Sequence, residues 1–73
     1  MNPYKLQAVL RHVRSRGPLP TDAFGNTLSP EELIVWYELD ACLNQEERAL
    51  VARELAFLID AEAVANHLAT RVV

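Results

Sequence analysis

The sequence predicts an all-α fold, a compact bundle of about four short helices with a long loop after the first. Three observations carry that expectation. Apolar residues recur at three- and four-residue spacings near both ends of the chain, as in Leu6, Val9, Leu10 and Val13. Two stretches, Ser29-Pro30-Glu31-Glu32 and Asn44-Gln45-Glu46-Glu47, carry the capping residue and the acid three positions later that start a helix. Between Leu43 and Ile59, Val51, Leu55 and Leu58 fall on one helical face while Leu50 and Phe57 fall well round from it, so this central helix wants neighbours on two sides.

In chain order, Asn2 caps and Pro3 opens a first helix that runs to about Ser15, stopped by Gly17 and Pro18. Lys5, His12 and Arg16 share one flank of it and Arg11 and Arg14 the other, straddling the apolar stripe. Gly17 to Leu28 holds two prolines, two glycines and no helical period, which reads as a loop. Leu19, Phe24 and Leu28 could pin it to the core, or it could serve as a partly mobile binding arm. Gly25-Asn26 suits a tight turn, because both residues tolerate positive φ.

The second helix starts at Ser29-Pro30 and is expected to continue through Leu43, with Leu33, Ile34, Val35, Trp36, Tyr37, Leu39, Ala41 and Cys42 pointing nearly all round and only Glu38 and Asp40 interrupting. Such a helix is either sandwiched or lends apolar girth to another protein. Trp36 and Tyr37 are the candidate anchors, since aromatics combine large contact area with a polar tip. After the central helix, Asp60 can cap a short fourth helix with a stripe of Ala61, Val64, Ala65, Leu68 and Val72, ending near Arg71. Leu10, Leu33, Leu50, Leu55 and Leu58 are the expected core.

Residues 1–73 are expected to form one small domain, because so short a chain leaves much of its surface in water and is only marginally stabilised by its core. The balance of 51% apolar to 23% charged residues is globular, but a body this small cannot hide every apolar side chain. A single cysteine, Cys42, excludes an internal disulfide and offers no metal-ligand spacing, which fits a reducing compartment, the cytoplasm. No run approaches the roughly 20 apolar residues of a membrane span, and no secretion-signal layout opens the chain.

The net charge of −3 hides a segregation. Met1 to Arg16 holds Lys5, Arg11, Arg14 and Arg16 with no acid. Gly17 to Glu47 holds Asp22, Glu31, Glu32, Glu38, Asp40, Glu46 and Glu47 with no base. Such asymmetry either marks a partner surface or cancels when folding brings the blocks together. Lys5, Arg11, Arg14, Trp36, Tyr37, Glu38 and Asp40 are therefore the candidate partner-binding residues.

Catalytic, cofactor and metal sites are not expected. His12 and His67 are the only imidazoles, and a Cys42–His67–Asp60 nucleophile set is poorer than the reading of Cys42 as a core thiol. The four carboxylates Glu31, Glu32, Glu46 and Glu47 are accounted for by helix starts, and no glycine-rich phosphate loop occurs. The rival is a helix-turn-helix DNA-binding protein, with a break near Asp60 and a reading helix offering Asn66, His67 and Arg71. The absence of a glycine in that turn, the repelling Glu62 and the acidic balance all oppose it.

In its length, basic first helix, acidic middle and lack of a catalytic set, the chain resembles the small phage-encoded transcription regulators that bind the host RNA polymerase, such as that of a lytic phage of Xanthomonas. The resemblance covers the whole chain and rests on size and general character, with no diagnostic motif. It implies a non-enzymatic, monomeric protein that inhibits host initiation and promotes antitermination by contacting the large polymerase subunits near the RNA exit channel, with nucleic acid only an indirect partner.

Overall fold

The computed structural model describes the backbone of residues 2–71 and the side chains of residues 2–68. Three α-helices and one 3-10 turn appear among the described residues: α1 (Pro3–Ser15), α2 (Pro30–Trp36), the turn Asp40–Cys42, and α3 (Gln45–Arg71). The all-α expectation holds, but the number and lengths of the helices differ.

α1 begins and ends where its local chemistry says it should. The Asn2 side-chain oxygen accepts from the Tyr4 N–H at 2.7 Å, Pro3 sits in the first turn, and Gly17 takes a φ of +82° just past the end. Val9 and Val13 face the core, with Leu6 packed beside them.

The loop after α1 is ordered. Asp22 accepts from the N–H groups of Phe24 (2.8 Å) and Asn26 (3.0 Å), and its own N–H donates to the Asn26 carbonyl. This Asx-type turn needs one left-handed residue, and Gly25 supplies it at φ +84°. Of the three apolar residues expected to pin the loop, Leu19 is buried and Leu28 packs against the core, whereas Phe24 stands 89% exposed at the tip of the turn. The backbone of Leu19 is also tied down, its N–H donating to Glu62 at 3.1 Å.

α2 stops at Trp36, seven residues short of the expected Leu43. The Leu39 N–H donates to the Ile34 carbonyl and the Glu38 N–H to the Val35 carbonyl, a Schellman closure that requires a left-handed residue after the cap. Glu38 takes that position at φ +60°, where glycine is usual. Ile34 and Leu39, the apolar pair that accompanies such a closure, are both buried.

The expected third and fourth helices are one. Asn44 and Glu47 form the reciprocal capping box, with the Glu47 N–H donating to Asn44 Oδ1 at 2.8 Å and the Asn44 N–H donating to Glu47 Oε1 at 3.0 Å. From there α3 continues through Asp60 without a break for 27 residues. No glycine or proline follows Asp60, and Ala61, Glu62, Ala63 and Ala65 are compatible with continued helix, so one cap-competent side chain is not enough to start a new one. The break on which the helix-turn-helix resemblance depended is therefore absent.

Leu33, Ile34, Val51 and Leu55 are fully buried, joined by Val9, Val13, Leu19, Tyr37, Leu39 and Leu43. Leu55 and Leu33 thus occupy the core as expected, Leu10 and Leu58 are half-buried, and Leu50 is exposed. The core covers α3 only as far as Glu62; every residue from Ala63 to Leu68 is exposed. At 1.5 Å per residue α3 is about 40 Å long, close to the 43 Å longest extent of the molecule.

Candidate docking surfaces

The charge blocks partly cancel across the fold. Lys5 donates to Glu47 at 2.9 Å, so the carboxylate that caps α3 also ties α1 to its start. The Asn44 N–H, and after it the Lys5 ammonium, hold the Glu47 carboxyl below its ordinary range. Asp40 pairs with Arg48, which also lies 3.6 Å from Glu31. Asp40 and Lys5 are thereby committed to internal contacts.

Arg16 lies over the Trp36 ring, 5.8 Å from its centroid. The flank of α1 bearing Lys5, His12 and Arg16 thus turns toward the rest of the molecule. The other flank does not. Among the described residues Arg11 and Arg14 make no ion pair, and they line two adjoining clefts with Tyr4, Gln7, Ala8 and Leu10. Tyr4 is 84% exposed there, which gives α1 an outward face of one aromatic and two unpaired guanidinium groups with no acid on the same helix.

The two neighbouring aromatics part company. Tyr37 is buried, stacked edge-on between His12 (centroids 6.1 Å apart) and Trp36 (5.0 Å). Burial pushes its phenol above the ordinary value, the Glu62 carboxylate adds to the shift and Arg16 opposes it. Its hydroxyl has no hydrogen-bond partner. Tyr37, expected from sequence among the contact residues, lies instead in the core. Trp36 is 48% exposed, with the Arg16 guanidinium over its ring and Tyr37 in edge-on contact with it. Beside it runs an apolar groove of about 580 Å³, floored by Leu28, Val35 and Trp36 and edged by Glu31 and Glu32. Glu38 is exposed, and the backbone, not the carboxylate, is what the fold uses there.

Sequence reasoning missed Tyr4 as a surface feature and named Val35 only within the apolar girth of the second helix. Val35 is 60% exposed one residue before Trp36, and only the early end of α2 reveals that it faces outward. Among the described residues no three His, Cys, Asp or Glu side chains converge as a metal site would require. No described helix is long and apolar enough to cross a membrane. Comparison with family models, with curated proteins and with solved structures finds no match to this chain.

Proposed function

We propose that the chain is a non-enzymatic docking protein that regulates transcription by binding bacterial RNA polymerase, inhibiting initiation and promoting antitermination. The observation that carries the docking half of this reading is Trp36, a large aromatic fixed at half exposure by Tyr37 and Arg16 beside an apolar groove. A ring already in contact with two neighbours has less rotamer freedom to lose on binding, which favours its use as an interface hot spot. Arg11 and Arg14, unpaired on α1, would steer association toward an acidic surface. The polymerase as partner is supported by the chain's resemblance in size and charge layout to small phage regulators. The polymerase performs the chemistry, and the bound chain acts by occupying a surface and shifting conformations.

Immobilised protein exposed to purified bacterial RNA polymerase tests this. Polymerase is captured by the wild type, Trp36→Ala speeds dissociation while remaining folded, and Arg11→Glu with Arg14→Glu slows association mainly at low salt. No capture of polymerase refutes the reading. Salt-sensitive retention on naked duplex in its place would favour direct DNA binding, for which α3 offers no turn.

A further inference from the structure

A continuous α3 creates a surface that two short helices would not have. On one helix Leu50, Phe57, Ala61, Val64, Ala65 and Leu68 fall into a single stripe, spaced by sevens and by alternating threes and fours. The stripe lies well round the helix from the core face of Val51, Leu55 and Glu62. Phe57 is 58% exposed, Val64 58% and Leu68 56%. Beyond Glu62 every described side chain, from Ala63 to Leu68, is exposed, and a helix end that lies outside the core is marginal in water.

We propose that a second copy of this chain covers the stripe, in an antiparallel α3–α3 pairing centred between Glu62 and Ala63. The argument is one of register. In that alignment Phe57 meets Leu68 of the other copy and Ala61 meets Val64, each layer occurring twice about the two-fold axis, so all four layers are apolar. Along one edge Asp60 faces His67, whose ring N–H can donate to the carboxylate in either protonation state. Along the other edge Leu58 faces Ala65. The exposed end of each helix lies against the core-packed part of the other.

Competing alignments fail on charge. An antiparallel shift of one heptad toward the N-terminus sets Asp60 against Asp60 and puts Glu54 into the seam opposite Val64. A parallel pairing sets Glu54 against Glu54 in the seam. The paired length is short and falls at the low end of specific interfaces, below about 1,200 Å² in total. Association is accordingly weak and concentration-dependent. This departs from the expected monomer and holds whether or not the chain binds polymerase.

Sedimentation velocity from micromolar to millimolar protein tests the proposal. The wild type shifts from monomer to dimer, while Phe57→Glu and Leu68→Glu weaken the shift about tenfold or more and keep the helical circular dichroism of the wild type, because both side chains are exposed in the single chain. Asp60→Lys and His67→Glu each weaken it, and the double variant recovers it. In a Cys42→Ser background, a mixture of Ala61→Cys and Val64→Cys chains oxidises to the mixed disulfide faster than either alone. A chain that stays monomeric throughout, a dimer indifferent to Leu68→Glu, or equal cross-linking of each variant alone overturns the proposal and leaves the stripe to a different protein.

Discussion

The two halves of α3 are made of the same kinds of residue and stand in opposite surroundings. From Gln45 to Glu62 the helix is capped by Asn44 and Glu47, held by Lys5 and Arg48, and buries Val51 and Leu55 completely. From Ala63 to Leu68 every residue is exposed, although Val64 and Leu68 are as apolar as the residues of the first half. Composition alone therefore does not assign a helix face to the core. What decides is which neighbours the chain supplies, and α1, α2 and the loop together cover only the first half.

The largest test of that contrast is a pair of leucines. Leu55→Ala should cost about 2–5 kcal/mol, through lost contacts and the cavity left behind, enough to threaten a domain of this size. Leu68→Ala, measured in dilute protein, should change stability by less than about 0.5 kcal/mol. Denaturant melts of the two variants side by side check both values. Comparable losses would mean that the second half is supported after all.

Next in size is the orphaned hydroxyl beneath Trp36. Removing a buried polar atom that has no partner relieves its desolvation, so Tyr37→Phe should raise stability by about 1 kcal/mol. The same phenol has a raised folded-state pKa, so its contribution is present below its ordinary value near 10 and is lost as pH rises through the folded value. Wild type should therefore lose stability more steeply than Tyr37→Phe on the alkaline side.

At the supported start of α3, Asn44→Ala should cost about 1 kcal/mol by removing one arm of the capping box. Glu47 has a depressed folded-state pKa, so its stabilisation is present above the ordinary carboxylate value and is lost as pH falls through the folded one. Acid titration of melting temperature should show this loss in wild type and not in Glu47→Gln. The smallest expected effect is a gain: Glu38→Gly relieves a left-handed non-glycine residue and should stabilise by about 0.5–1 kcal/mol, while a loss would show that the Glu38 side chain contributes a contact.

The fold was legible in the sequence wherever the signal was local. The ends of α1 and the starts of α2 and α3 are set by side chains reaching two or three residues along the chain, and Asn2, Ser29 and Asn44 announce them. The end of α2 was not legible, because its closure uses a glutamate where the usual marker is glycine. Asp60 misled in the opposite direction, being a competent cap with no breaker beside it. In the candidate site, Trp36 could be singled out as a large aromatic in an over-apolar segment. That its neighbour Tyr37 faces inward depends on where a helix seven residues long is seated. The Lys5–Glu47 pair spans 42 positions, and no local pattern could single it out.

Amide hydrogen exchange along α3 in dilute protein, read with Cα chemical shifts, tests the central claim most directly. One helix with one supported half predicts helical shifts running unbroken through Asp60, with strong protection around Val51 and Leu55 that falls away beyond Glu62. Non-helical shifts at Asp60 followed by a newly capped segment, or protection undiminished to Leu68 in a monomer, would contradict it.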